Sequence, residues 1–289
     1  MEHKVKIRIV REDSKEFNMD GTDWRIAELS GFGSFDNDIT LIDNAIGDGG
    51  IYGSDRVAQK DRTIVAKSRN PVMNEILRKI ALSFFNPKHM YKVYVTYMGV
   101  TRWCEGKIHK FDLPTSNIHT TMTLSITFLF ANPYFKSYDN FGKNIAAITG
   151  MCAFPYMCSS TEGTPKGITG GVFNFAQKVV FENDGDVDTY CKAVFTSKGE
   201  VVNPKLLVNG NYVRVLDTMQ SGDVIIIDFT KSPPTVQKNG MNFIGHCDRT
   251  SAFDAMALIV GDSEVSFEAD NGSNFLDVSI YYNKLYGAM

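Results

Sequence analysis

Lys4-Val5-Lys6-Ile7-Arg8-Ile9-Val10 alternates with a period of two, which puts Val5, Ile7 and Ile9 on one face of a half-buried strand. Stretches of the same character follow at Trp24 to Leu29, Arg62 to Lys67, Tyr91 to Met98, Trp103 to Phe111 and Thr120 to Phe130, several of them separated by Gly or Asp/Asn clusters. The six predict one sheet system in the first half of the chain. A single segment breaks the pattern. In Val72 to Phe85, Ile76, Ile80 and Phe84 recur at i, i+4, i+8 with Leu77 alongside. Pro71 sits at a first-turn position and Asn86-Pro87 ends the run, so one helix is expected there.

From Asn132-Pro133-Tyr134-Phe135 to Phe141-Gly142-Lys143 the alternation stops and polar turn chemistry takes over. A domain boundary is expected there, giving domains 1–138 and 139–289. Beyond it, strands are read at Lys178 to Glu182, Cys191 to Thr196, Lys205 to Val208, Tyr212 to Val215, Asp223 to Asp228, Thr235 to Lys238, Glu264 to Glu268 and Asp277 to Tyr282. Turns such as Asn209-Gly210-Asn211, Ser221-Gly222-Asp223 and Asn239-Gly240 punctuate them, as in an antiparallel β-sandwich. The fold class expected is mainly β. Asn37 to Asp61 and Thr161 to Gly171 are too long and too rich in turn residues for ordinary turns, and are expected to be extended functional loops or disordered.

Composition narrows the function. The 289 residues hold 30 Lys+Arg against 33 Asp+Glu, a net charge of −3, which gives no general basic face for nucleic acid. With 43% hydrophobic residues the chain can bury substantial cores, and 20 Phe, 12 Tyr and 24 Gly against 9 Pro favour pleated surfaces and tight turns. Five scattered cysteines are unlike a disulfide framework and read as reduced cytosolic thiols. The first ten residues do not read as a secretory signal, and the most apolar stretch, Ile145 to Cys158, falls short of the ~20 residues of a membrane span.

Few residues suggest chemistry. In His246-Cys247-Asp248, neighbours on an extended chain face opposite ways, so His246 and Cys247 do not pair as base and nucleophile. Cys152 and Cys158 lie outside zinc-ligand spacing. Asp184, Asp186 and Asp188 occupy calcium-loop positions, but Thr189 and Phe195 stand where such a loop needs glycine and glutamate. Gly47-Asp48-Gly49-Gly50 and Gly163 to Gly171 do not match a phosphate-binding loop. Tyr281 or Tyr282 could stack on a sugar, against the simpler reading as sandwich core. No enzyme, cofactor or metal is expected.

The order of features resembles the siphophage distal tail proteins of the phage tail-component family. It is carried by the early strands, the loop around Gly47 to Gly53 leading to the Arg62 to Lys67 strand, and the helix at Val72 to Phe85. The Thr120 to Phe130 strand running into Pro133-Tyr134-Phe135 continues it. In the second half come Phe154-Pro155, Phe181 through Tyr190, Gly222 through Asp228 and Val236 to Gly240. The chain has Tyr190-Cys191 where the family often has proline.

The resemblance implies a first domain that assembles into a homo-hexameric ring at the virion tail tip, after synthesis in the host cytoplasm. A galectin-like antiparallel β-sandwich would project from it. It implies as partners the major tail protein, the tape-measure protein, the tail-associated protein and a receptor-binding protein. The alternative function is a carbohydrate-binding adhesin for host cell-wall sugars. For the ring, the segment Asn37 to Asp61 is expected to reach a neighbouring subunit or the lumen, with Asp43, Asp48, Tyr52, Arg56 and Lys60 as interface or lumen residues. A mobile solvated loop is the simpler alternative. Asp36 and Asp38 make its start acidic before Arg56, Lys60 and Arg62 reverse the charge.

Overall fold

The computed structural model describes residues 5–44, 48–114, 120–139, 141–144, 146–150, 171–175 and 178–289. The segment Thr161 to Gly170, Phe154-Pro155, Cys152 and Cys158 lie outside the described residues. The chain forms two compact units, Met1–Tyr138 with Leu285–Met289, and Asp139–Lys284. The last five residues thus return to the first unit, where Leu285–Tyr286 pairs with Phe135–Ser137.

The first unit contains β1 (Val5–Arg11), β2 (Glu16–Met19), β3 (Trp24–Ser30), β4 (Asn37–Asp43), β5 (Gly50–Val57) and β6 (Lys60–Ser68). After α1 (Asn74–Phe84) come β7 (Tyr91–Tyr97), β8 (Val100–Asp112), β9 (Thr123–Phe130) and β10 (Phe135–Ser137). One sheet runs β2-β1-β7-β8-β9-β6-β3, all antiparallel. The thirteen-residue β8 serves both ends of it. Val100 to Gly106 pairs with β7, and Lys107 to Asp112 pairs with β9 across a bulge. Gly106 marks the changeover because no side chain fits: a Cβ there would lie 2.6 Å from the Leu129 carbonyl oxygen and 2.7 Å from the Phe130 ring.

Alternation sets the core. In β9, Leu124, Ile126, Phe128 and Phe130 point in, and Ile7 and Ile9 of β1 join them. The helix lies where expected, preceded by a 3-10 turn at Pro71–Met73 whose Val72 amide donates to Asn70 Oδ1. Its buried face is Asn74, Leu77, Ala81 and Phe84, whereas Ile76 and Ile80 are exposed. Phe84 packs against Phe17 and Phe85 at centroid distances of 5.4 and 4.9 Å. Arg11 donates to the Phe84 and Ser83 carbonyls, satisfying the last turn of α1, while Asp13 grips its other edge at 2.7 Å.

Arg62 is entirely buried. It does not join the surface charge reversal expected for the segment that ends at it. It faces inward with Ile64 and Ala66 along β6, donates to the Gly31 and Pro133 carbonyls, and lies over Phe135 at 4.0 Å and Phe130 at 5.0 Å. It therefore ties the loop after β3 to the Pro133-Tyr134-Phe135 ending.

The second unit is an antiparallel sandwich around its own core. One sheet orders Phe141–Asn144, Leu276–Tyr282, Thr189–Ser197, Val224–Asp228, Thr235–Lys238 and Met241–Asn242. The other orders Lys178–Asn183, Gly261–Glu268, Lys205–Val208 and Asn211–Arg214. Phe195, Ile225, Ile227, Val278 and Ile280 from the first meet Phe181, Leu206, Val208, Val213 and Val265 from the second. Tyr190 and Cys191 open a regular strand, so the chain needs no proline there.

Candidate functional site

Asn37 to Asp61 is neither an irregular loop nor wholly apart from the sheet system. β4 and β5 form a two-stranded antiparallel hairpin, and β6 has begun by Lys60. A bulge between Thr40 and Leu41 leaves Gly53 unpaired. There a Cβ would lie 3.1 Å from the Ile42 side chain. The pairing puts Leu41 beside Tyr52, and Ile42 beside Ile51 on the opposite face. Both faces are solvent-exposed, with Tyr52 at 76%.

Of the five residues expected at an interface, Asp43, Asp48, Tyr52 and Arg56 come together on this hairpin. Lys60 stands at its base. Arg56 reaches across the strands to Asp38 at 3.3 Å, and Lys60 binds Asp36 at 2.7 Å with its side chain largely covered. Asp43, Asp48 and Asp55 have no basic partner among the described residues. The residues missed from the sequence are Ile39, Leu41, Ile42 and Ile51, which supply most of the exposed apolar surface of the arm. An isolated two-stranded hairpin is marginal in water, so an arm apolar on both faces gains stability when something covers it.

A cleft of about 620 Å³ beside β3, which pairs only with β6 among the described strands, is lined by Val5, Ile26, Leu29, Phe32, Tyr97 and Met289, with Arg25 and Glu28 as its charged residues. It brings together no nucleophile and base.

The remaining candidates resolve into structure. His246 stacks on Phe243 at 3.9 Å, and burial pushes the Cys247 thiol up to about 11, the reverse of nucleophile activation. Asp184 pairs with Lys284 at 2.6 Å, and Asp188 accepts the Val260 amide. Among the described residues no three His, Cys, Asp or Glu side chains are grouped to hold a metal. Tyr282 is buried against Phe181 and donates to the Glu182 carbonyl, leaving Tyr281 only partly exposed.

Residues 184–286 match the family model of the siphovirus-type tail component, C-terminal domain. The chain superposes on the Dit protein of phage SPP1, described as a paradigm of the hub adsorption apparatus of phages infecting Gram-positive hosts. The TM-score is 0.65 at 10% identity, over 96% of this chain and 98% of that one. It also matches chains of the phage P2 baseplate in its activated conformation, with calcium at a TM-score of 0.59 and with strontium at 0.57. Both are at 12% identity over 99% of each chain. No curated protein sequence matches. Residues 184–286 are thus similar to the siphovirus-type tail component domain, and the chain as a whole shares the fold of the SPP1 Dit protein.

Proposed function

We propose that this protein is a structural component of a phage tail tip, a ring that joins the tail tube to the receptor-binding apparatus below. The observation that carries the proposal is the end-to-end match to hub and baseplate chains, together with the tail-component domain at 184–286. Residues 1–138 form the ring in this reading, and the sandwich at 139–284 lies at its periphery. The β4–β5 hairpin supports self-association, since it presents apolar side chains on both faces and buries neither. The ring is homo-hexameric and meets the major tail protein, the tape-measure protein and the tail-associated protein. Its function is assembly, with no catalytic turnover. The test is light scattering with negative-stain imaging of the full chain at rising concentration. Rings of about six 32.2 kDa chains are expected, and a chain that stays monomeric throughout counts against the proposal.

A further inference from the structure

The hairpin is not the sole exposed apolar surface among the described residues of the first unit. Another runs along α1 and the turn before it, where Val72, Met73, Ile76 and Ile80 line one stripe. Val72 is 88% exposed. The stripe borders the buried Leu77 and Phe84 face, so one side of an apolar helix surface packs on its own core while the other is exposed among the described residues. From Val72 to Ile80 it is about 12 Å long, close to the reach of the five strand residues Ile39 to Asp43.

Charge matches as well as length. Between Asp36 and Val57 the sequence holds five Asp against one Arg, and Asp43, Asp48 and Asp55 are unpaired among the described residues. Lys79 stands three residues after Ile76 at the rim of the stripe, exposed and without a carboxylate partner among the described residues. Glu75 shares that rim, but with Arg78 and Lys79 the helix carries one net positive charge, so an acidic apolar arm and this stripe are complementary in both terms.

We propose that the α1 stripe is the seat for the β4–β5 hairpin of a second copy of this chain. Leu41 and Tyr52 cover Ile76 and Ile80, and the unpaired hairpin carboxylates face Lys79. This rests on the tail-ring reading and adds to it the surface that receives the arm. Arm and seat are different patches of one chain, so the contact is heterologous and each copy gives one arm and accepts another. Such a contact closes into a ring or continues as a filament, according to the rotation between copies.

The test places photoreactive p-benzoylphenylalanine at Tyr52 in the full chain and mixes isotope-labelled with unlabelled protein before irradiation. Crosslinked peptides are then read by mass spectrometry. The expected product joins the hairpin of one copy to residues 70–80 of another. Ile76→Glu with Ile80→Glu should weaken association at least about 100-fold while circular dichroism stays that of the parent chain. Lys79→Glu should weaken it less and be rescued by Asp43→Lys with Asp48→Lys. Intact rings whose crosslinks map elsewhere, or rings unaffected by Ile76→Glu with Ile80→Glu, overturn the seat and leave the ring standing. A parent chain that never self-associates removes both.

Discussion

The two units bury comparable cores and leave different surfaces. In the sandwich, exposed apolar residues such as Leu216, Met241, Phe275 and the adjacent pair Ile259 and Val260 are scattered over turns and strand ends, the ordinary condition of a soluble surface. In the first unit the larger groups lie on the hairpin with Ile39, Leu41, Ile42, Ile51 and Tyr52, and on the helix with Val72, Met73, Ile76 and Ile80, with a smaller group of Tyr97, Met98 and Val100 at the β7–β8 turn. Gathered apolar surface marks a partner, whereas scattered surface needs none. That contrast is what supports giving assembly to the first unit in the proposed ring.

The sharpest way to break that division is to destabilise one unit and watch the other. Arg62→Ala removes the donors to the Gly31 and Pro133 carbonyls and opens a cavity among Phe32, Phe130 and Phe135, at a cost of about 4 kcal/mol to the first unit. Urea unfolding should show two transitions, with the first moved to lower denaturant and the second unmoved. A joint shift of both would mean that the units fold as one.

Arg62 also shows where the sequence is readable and where it misleads. The alternation of β6 puts Arg62 on the same face as Ile64 and Ala66, and that face is the core. Its charge argues for solvent, and the alternation is the better guide. Long strands such as β9 are legible because eight residues carry four repeats of the pattern. Glu16–Met19 and Phe135–Ser137 are too short to show a period. The helix is legible in position but not in facing, since hydrophobicity marks Ile76 and Leu77 alike while only the second meets a core. For the hairpin, alternation fails because neither face packs on a sheet of its own. Charge marks Asp43, Asp48 and Arg56 there, but it is silent on Leu41, Ile42 and Ile51 beside them.

A smaller effect is expected at the bend of β8. Gly106→Ala drives a methyl group against the Leu129 carbonyl and the Phe130 ring, and overpacking of this kind costs about 2 kcal/mol. The readout is again the first transition alone. An unchanged midpoint would show that β8 bends without needing the glycine.

Acid should separate the units in another way. Asn239, the Gln220 amide and Lys238 hold the Asp223 carboxyl down to about 2, below its ordinary 3.8. A carboxyl depressed by folding contributes stability that is fully present above its unfolded value and fades as pH falls through the folded one. The sandwich should therefore lose stability between about pH 4 and pH 2, and Asp223→Asn should flatten that part of its profile without altering the first unit's. A profile of the same slope in the variant would assign the loss to other carboxylates.

The smallest effect on stability is the one that sharpens the comparison most. If the hairpin exists to be covered by another copy, its apolar side chains contribute almost nothing to the isolated chain. Leu41→Ser with Tyr52→Ser should then change the first transition by no more than about 0.5 kcal/mol, as expected for exposed positions. The same double variant should abolish rings at concentrations where the parent chain forms them. Equivalent substitutions at Met241 and Phe275 in the sandwich remove exposed apolar area of a similar kind and should leave both stability and ring formation alone. If Leu41→Ser with Tyr52→Ser instead unfolds the first unit, the hairpin is packed into its own chain in solution and the contrast between gathered and scattered surface fails. If rings survive it with stability unchanged, the hairpin is a solvated loop and self-association uses another surface.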